Sequence, residues 1–470
     1  MELTFTSENT TWNIPKMDFK TCVKEFLDFV KNPNWQKRFE AIHIQCSKNF
    51  KLSKQLFLSI LISLFCSQVI AQNNLVITPL NLANQKKLKM QLLSIITELG
   101  NKRIVGLGEG THGTKEFNDI RISIIKELIS KKGFTKICFE NPFGDSHYLN
   151  EIINSKQDIR DGLKKYAISI WQTEEIENFL LWLRAYNYSH KTKVEFTGID
   201  FNYITNSAKI IKANIGSNNI LSEKVNSLLL CTSYQDSLWE MQNDTAAKIN
   251  FDDVLKNGFR GYQLVESIDS LIKANDISID FLTKRALLNC KHGFDMLYYG
   301  KLQKEGTSRD RLMADIVSFN AIENPNPKII VWAHAGHTAY KPVYKGDNGG
   351  GMGGFLRERF GNLYYTIGTT TANGTYSATK DGIDTRSNKF NSYTLTKPLD
   401  NSWEALFSKN TTETFFFPLD NRNVILSKLK WRPIGYLPET ISNYTEEVLL
   451  SEYFDALIFI KNTTASNHNF

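Results

Sequence analysis

The chain has few cysteines and no long basic runs, and each shortage excludes a class of protein. Three of its six cysteines follow residue 72, at Cys138, Cys231 and Cys290, and no C-x-x-C pair occurs. This pattern excludes a disulfide framework and a cysteine-based zinc or redox motif. No block of five Lys or Arg residues occurs, and the net charge of +7 is modest. We therefore expect no nucleic-acid partner.

Two further patterns are missing. The sequence has no G-x-S-x-G motif, which argues against the serine triad of an α/β-hydrolase. It also has no internal repeat or low-complexity tract, so repeat architectures are excluded. A chain of 470 residues that is 41% hydrophobic is long enough to bury a sizeable core.

One apolar run, at residues 56–70, has the order of a secretory signal. Lysines precede it, a small-residue pattern ends it at Ala71, and polar residues follow. The run is too short for a comfortable membrane span. We therefore predict an N-terminal extension at 1–50, whose assigned start is too early or which is cytoplasmic, and a signal peptide or uncleaved anchor at 51–72. The protein is expected to be periplasmic or extracellular, and to stay on the membrane only if the signal is not cleaved.

From residue 85 onward, helical and strand-like patterns alternate, and the apolar spacing at 86–102 predicts the first helix. An apolar strand at 103–110, an amphipathic helix at 114–133 and a strand at 135–140 predict a parallel βαβ unit. Further strands are predicted at 193–200, 328–334, 363–370, 413–419 and 456–460, with mostly helical sequence up to about residue 320. We predict an α/β fold with a mostly parallel central sheet, flanking helices and an inserted helical lobe. This domain spans 73–464, and residues 465–470 form a tail.

The bend after the first of these strands permits two interpretations. Gly108, Gly110 and Gly113 match the G-x-G-x-x-G spacing of a dinucleotide-binding turn, and Glu140 ends the next strand, where an acidic residue holds a ribose. However, Glu109 lies between the first two glycines, and its carboxylate would repel a pyrophosphate. The alternative is that the bend presents side chains for catalysis.

Polar residues at the ends of three predicted strands favour that alternative. The first strand is followed by Glu109 and His112, the second ends at Glu140, and a later one presents His334 and His337. Because ligands bind at the carboxyl ends of parallel strands, we expect an active-site cleft there. Each residue taken singly also has a structural explanation, such as capping of a helix by Glu109.

Arg121 lies on the apolar stripe of the helix at 114–133. A guanidinium that faces a core needs carboxylate partners, and Glu109 and Glu140 are the near candidates. On helical geometry alone, Arg121 could instead extend to solvent.

Taken together, these motifs resemble the erythromycin esterase family. The resemblance lies in GEGTH at 108–112, Arg121, EN at 140–141 and WAHAGH at 332–337. Weaker matches are WQTEEIENFLLWLRAYN at 171–187, GID at 198–200, the RD pair at 309–310 and MGGFLRERFG at 352–361. The similarity extends over about residues 85–462.

The resemblance implies a carboxylic ester hydrolase, acting most typically on the lactone of macrolide antibiotics such as erythromycin. It implies that His112 is the general base for water, surrounded by Glu109, Glu140, Arg121, His334 and His337, and that no cofactor is needed. A small-molecule macrolide or another ester is the expected partner. Three alternatives remain open from the residues: an exported ligand-binding protein without turnover, a Zn²⁺ hydrolase using the histidines and a glutamate, and a dinucleotide enzyme.

Overall fold

The computed structural model describes residues 3–7, 10–14, 76–301, 308–322, 327–343, 351–420, 423 and 427–468. The chain divides into two compact units, and the smaller comprises Met1–Val76 and Asn423–Ser427. Within it, strands β1 (Leu3–Ser7) and β2 (Thr10–Ile14) pair antiparallel. The predicted signal at 51–72 lies outside the described residues, and the predicted domain boundaries stay predictions.

The larger unit, Ile77–Arg422 with Lys428–Phe470, is built on one nine-stranded sheet. Its strands are β3 (Thr78–Pro79), β4 (Ile104–Glu109), β5 (Phe134–Pro142), β6 (Glu195–Asp200), β7 (Lys328–His334), β8 (Tyr364–Ala378), β9 (Asn391–Thr394), β10 (Thr414–Pro418) and β11 (Ala456–Thr463).

Six of these strands form a continuous parallel sheet in the order β11-β8-β4-β7-β5-β6. Strand β10 adds antiparallel to β11, β3 adds antiparallel to β10, and β9 pairs antiparallel with the end of β8. The predicted α/β fold with a mostly parallel sheet is therefore confirmed.

Fourteen helices are described in the larger unit. They are α1 (Gln85–Gln91), α2 (Leu93–Leu99), α3 (Lys115–Lys132), α4 (Phe143–Ile153), α5 (Ile159–Tyr166), α6 (Glu174–Ser189), α7 (Thr205–Ile215), α8 (Ser222–Glu240), α9 (Phe251–Ala274), α10 (Phe281–Lys301), α11 (Arg309–Ala321), α12 (Ala335–Thr338), α13 (Met352–Phe360) and α14 (Trp403–Ser408). Helices α7–α11 follow one another between β6 and β7, which is the predicted helical insertion. None of the described helices is long and apolar enough to span a membrane.

Helix α3 shows how the sequence determines an element. Its predicted apolar stripe, which includes Phe117 and Ile124, is fully buried, so the helix packs on the sheet through that face. Lysines in the last turn complement the helix dipole. The helix ends at Gly133, whose φ of +68° is left-handed and favours glycine.

One local prediction differs from the structure, and the predicted parallel βαβ unit is present although its two strands are not neighbours. The single helix predicted at 86–102 is two helices, α1 and α2, joined at Leu92. Leu92 keeps right-handed helical dihedrals and accepts a hydrogen bond from the Ile96 N–H, so the break is a distortion in a continuous helical path. In the βαβ unit, β4 and β5 are parallel but not adjacent, because β7 lies between them. Strand β7 begins at Lys328, far along the sequence from β4 and β5, so local periodicity does not reveal that it lies between them.

Candidate active site

The bend after β4 is shaped by close contact with strand β8. A Cβ atom at Gly113 would lie 1.9 Å from the Ser377 carbonyl oxygen, and one at Gly110 would lie 2.6 Å from that of Thr369. The glycines therefore make room for protein backbone. No phosphate cradle remains at this bend, and the dinucleotide interpretation of the glycine spacing is abandoned.

Hydrogen bonds from distant segments fix the same bend. The His112 N–H donates to the Gly435 carbonyl at 3.1 Å. The Gly113 carbonyl accepts from the Ser377 N–H at 2.8 Å and from the Ser466 N–H at 2.9 Å. The bend is thus held by β8, by the loop at residue 435 and by the residues after β11, so that His112 has a defined backbone position.

His112, Glu109 and Arg121 form a buried hydrogen-bonded series. The His112 Nδ1 lies 2.8 Å from Glu109 Oε1, and Arg121 Nη2 donates to Glu109 Oε2. Glu109 is fully buried and Arg121 is 1% exposed. Burial lowers the pKa of Arg121, and the Glu109 carboxylate opposes this effect. Arg121 also contacts the face of Trp332, 4.6 Å from its ring centroid. Of the two orientations left open by the sequence, Arg121 therefore has the one that faces the core.

This arrangement determines which nitrogen of His112 is available for chemistry. Since a carboxylate only accepts hydrogen bonds, the N–H of His112 is at Nδ1, which donates a hydrogen bond to Glu109. The neutral imidazole therefore keeps its lone pair on Nε2. Three rings surround the imidazole: His334 at 5.0 Å, Trp171 at 5.3 Å and Tyr436 at 6.3 Å between ring centroids.

Glu140 lies at the centre of a second cluster of charges. Its carboxylate accepts from the His334 backbone N–H at 2.7 Å and from Arg309 Nη2 at 3.1 Å, and its Oε1 lies 3.2 Å from His337 Nε2. Burial raises the pKa of Glu140, but His337, Arg309 and His112 overcome this effect and hold it well below its usual range. Glu140 therefore binds Arg309 and His337 directly. No direct contact joins it to Arg121, which was a candidate partner.

Asp200 and Asp310 complete this second cluster. Arg309 Nε donates to Asp200 at the end of β6 at 3.2 Å, and His337 Nδ1 lies 2.8 Å from Asp310 Oδ1. Burial lowers the pKa of His337, but Asp310 and Glu140 outweigh burial and raise it to about 10. This raised pKa favours the cationic form of His337 near neutral pH. Its Nδ1 donates to Asp310, and its Nε2 lies 3.2 Å from Glu140 Oε1 and 2.9 Å from Arg309 Nη1.

His334 has the opposite protonation state. Burial, together with the neighbouring His112 and His337, holds the pKa of His334 well below its usual value. Its Nδ1 accepts the Gly336 N–H at 3.1 Å and so caps α12. The register of the sheet places His334 directly beside Glu109 on the adjacent strand. His334 is therefore a neutral imidazole between the two clusters.

Asp384 is a site residue that the sequence did not reveal. It is 7% exposed and accepts a hydrogen bond from Ser169 Oγ at 3.0 Å. Burial raises the pKa of Asp384 to about 7, although His112 and Ser169 oppose this effect. Asp384 and Tyr436 lie in loops without periodicity, so no sequence signal pointed to either of them.

The structure brings all six predicted site residues to the carboxyl ends of β4, β5 and β7, in two clusters. Glu109, His112 and Arg121 form the first, and Glu140 and His337 belong to the second. His334 lies between them, with its ring beside His112 and its backbone N–H donated to Glu140. Arg309, Asp310 and Asp200 had entered only as motif matches. Within the described ranges, no three His, Cys, Asp or Glu side chains are placed to share a metal ion.

The fold and this site define an α/β protein with two clusters of buried ionisable side chains at the carboxyl edge of a parallel sheet. A family model described as erythromycin esterase matches residues 129–463. The chain therefore belongs to the erythromycin esterase family, which places it among the hydrolases. The match includes Glu140, His334 and His337, and it begins after the bend that carries Glu109 and His112.

Two relatives are named as an esterase and as a putative hydrolase. The chain is 26% identical to erythromycin esterase type II of Escherichia coli over 353 residues, covering 68% of this chain and 81% of that protein. It is 26% identical to the putative hydrolase YbfO of Bacillus subtilis (strain 168) over 417 residues, covering 83% of this chain and 89% of that protein.

Three solved structures share the fold. One is a protein from Bacillus cereus, with a TM-score of 0.72 and 22% identity over 84% of this chain and 97% of that one. The second is a succinoglycan biosynthesis protein, with a TM-score of 0.69 and 23% identity over 85% of this chain and 97% of that one. The third is an erythromycin esterase mutant in its open conformation, with a TM-score of 0.61 and 20% identity over 82% of this chain and 97% of that one.

Proposed function

We propose that this hydrolase cleaves a carboxylic ester by direct attack of water, with His112 as the general base. The lactone of a macrolide such as erythromycin is the first substrate class to test, because an E. coli relative carries the name erythromycin esterase. The observation that carries the proposal is the buried series His112–Glu109–Arg121.

The first step of the proposed reaction uses His112 Nε2. This nitrogen takes a proton from water as the oxygen attacks the ester carbonyl carbon, and Glu109 stabilises the imidazolium that forms. Arg121 donates a hydrogen bond to the other oxygen of the Glu109 carboxylate and so holds that carboxylate in its orientation towards His112. Because Arg121 is only 1% exposed, it acts on the histidine through Glu109, as a positioning residue.

The second cluster supplies positive charge to the same cleft. The Arg309 side chain is 29% exposed and that of His337 is 19% exposed, whereas Glu140 and Asp200 behind them are almost fully buried. The cations therefore face the open side, and their carboxylate partners hold them in place. Such preorganised donors stabilise the negative charge that develops on a carbonyl oxygen under attack.

Asp384 is the proposed proton donor to the leaving alcohol. Its pKa of about 7 leaves a substantial protonated fraction near neutral pH, which suits an acid catalyst. Its electrostatic coupling to both His112 and Glu140 supports a position between the base and the charged cluster. In this scheme His112 accepts a proton while Asp384 releases one, so the ester is cleaved without a covalent enzyme intermediate.

Export is a separate proposal, supported by the signal-like order of residues 51–72. It is tested by sequencing the N-terminus of the mature protein from a cell envelope fraction. A new N-terminus near residue 72 supports cleavage. A chain that stays whole and sediments with the membrane supports an uncleaved anchor.

The activity is tested by incubating the purified protein with erythromycin and a panel of simple esters, with and without a chelator. Mass spectrometry should show the gain of one water by at least one substrate, and His112→Ala should abolish that gain while remaining folded. If folded wild type binds a substrate without converting any member of the panel, the protein is a binding protein. Loss of turnover on chelation would instead establish a metal-dependent hydrolase.

A further inference from the structure

A second polar feature lies beside the catalytic cleft. It is a groove open to solvent, with a volume of about 530 Å³. Helices α4, α5, α7 and α8 and the loop after β8 line it. We call it the lysine groove, and its principal residues are Tyr148, Lys165, Tyr166, Lys209, Asp236 and Arg386.

Chain connectivity places this groove next to the proposed reaction centre. Helix α4 directly follows β5, which carries Glu140, and α7 follows β6, which ends at Asp200. Arg386 is two residues from Asp384 in the loop after β8. The same three connections thus contribute catalytic side chains and the wall of the groove. The groove and the proposed reaction centre therefore lie on the same edge of the sheet.

The carboxylates around the groove are already engaged inside the protein. Asp145, which is fully buried, pairs with Arg386 Nη2 at 2.6 Å. Asp236 accepts the Ile204 N–H at 2.8 Å and the Thr205 N–H at 3.0 Å, at the start of α7. Glu240 accepts from a tyrosine hydroxyl at 2.6 Å. These acids stabilise the walls of the groove. Asp145 is also attracted electrostatically to Lys209, but none of the three acids forms an ion pair with either lysine of the groove.

The lysines have no such partner. Among the described residues, no carboxylate lies within 4.0 Å of the Nζ of Lys165 or Lys209. Lys209 donates to the Asn206 side chain at 3.1 Å, and the Lys165 Nζ lies 5.2 Å from the Tyr166 ring centroid. The Arg386 Nε is also buried without a hydrogen-bond partner in the described part of the chain. The groove therefore offers cationic donors to a ligand.

We propose that the lysine groove is an anion subsite, and that the preferred substrate is an ester carrying a carboxylate or a similar anionic group. The tyrosines of the groove provide flat apolar contacts for the carbon chain that bears this group. The preference for an anionic ester rests on the proposed hydrolase activity, whereas anion binding itself does not.

Two substrates of the same shape test the preference. p-Nitrophenyl hemisuccinate and p-nitrophenyl butyrate have the same leaving group and similar acyl chains, and only the first carries a carboxylate. The variant Lys165→Gln/Lys209→Gln removes the two groove charges. The matched control is Lys164→Gln/Lys212→Gln, which removes two exposed lysines from the same helices outside the groove.

At low salt, we expect wild type and the control to favour the hemisuccinate in kcat/KM, and the groove variant to lose about three- to tenfold on that ester alone. Two solvent-exposed charge pairs produce an effect of this size. The preference should also shrink at about 0.5 M NaCl, because salt screens exposed charges. Equal losses in both double variants, or an equal loss on both esters, would overturn the inference.

Succinate binding, measured by calorimetry on the full chain, separates this inference from the proposed function. If no ester is hydrolysed but succinate binds and Lys165→Gln/Lys209→Gln weakens it, the hydrolase proposal fails and the anion subsite stands. If both esters are hydrolysed equally and succinate does not bind, the hydrolase proposal stands and the subsite is refuted.

Discussion

Replacement of Asp384 by asparagine should stabilise the protein at alkaline pH and lower its activity. Asp384 is 7% exposed, and Ser169 Oγ is its hydrogen-bond donor at 3.0 Å. The amide oxygen of asparagine can accept the same hydrogen bond. The substitution therefore removes mainly the cost of ionising a buried carboxyl group, together with its ability to donate a proton.

The magnitude follows from proton linkage. The folded-state pKa of Asp384 is about 7, and that of an aspartate in an unfolded chain is about 3.9. A pKa raised on folding contributes stability at low pH that is lost as pH rises towards the folded value. Ionisation of the buried Asp384 therefore lowers the free energy of unfolding of wild type by about 1.5 kcal/mol near pH 5 and by about 4 kcal/mol near pH 8, since one pKa unit corresponds to about 1.4 kcal/mol.

The assay is chemical denaturation of both proteins near pH 5 and near pH 8. We expect the gain in free energy of unfolding for Asp384→Asn to be larger by about 2–3 kcal/mol at the higher pH. Asp381→Asn, which changes another hydrogen-bonded aspartate of the same loop, controls for the substitution itself. A gain that does not vary with pH, or a loss of stability near pH 8, would refute the reasoning.

Three further predictions concern the site. Arg121→Met should lower the free energy of unfolding by about 3–5 kcal/mol in urea denaturation, because it strands a buried carboxylate; a loss below about 1 kcal/mol would contradict the buried pair. Asp310→Asn should lower the pKa of His337 from about 10 to about 8 in a ring-proton NMR titration, since it removes one of two attracting charges. A histidine pKa raised by folding adds stability that is fully present below about pH 6.5 and is lost as pH rises through about 10. Asp310→Asn should therefore reduce the free energy of unfolding most in acid. An unchanged titration of His337 would rule out its pairing with Asp310. Gly113→Ala should abolish turnover, because its Cβ would lie 1.9 Å from a backbone oxygen, whereas Gly382→Ala, with open space around it, should not; equal activity of the two would show that the bend tolerates movement.

Much of the site could be predicted because its residues are tied to regular elements. Glu109 and Glu140 follow from strand periodicity, since each lies where an apolar strand ends. Arg121 follows from helical periodicity, because it interrupts a stripe that must be buried. Such patterns locate side chains on one edge of the sheet without any knowledge of strand order.

The rest depended on long-range pairing. Strand β7 lies between β4 and β5, and this order places His334 beside Glu109 and directs Glu140 towards Arg309. Neither contact is encoded locally, so Arg121 and Glu140 were expected to be close partners and are not in direct contact. Asp384 was missed because a loop has no periodicity, and only the folded structure shows its burial.

The most direct test of the central claim is a comparison of wild type with His112→Asn on p-nitrophenyl butyrate or on any ester found to be cleaved. The account predicts that kcat falls by about 10²-fold or more, while substrate affinity and the unfolding transition stay close to those of wild type. A folded His112→Asn protein that keeps kcat within about threefold of wild type would contradict the assignment of His112 as the general base.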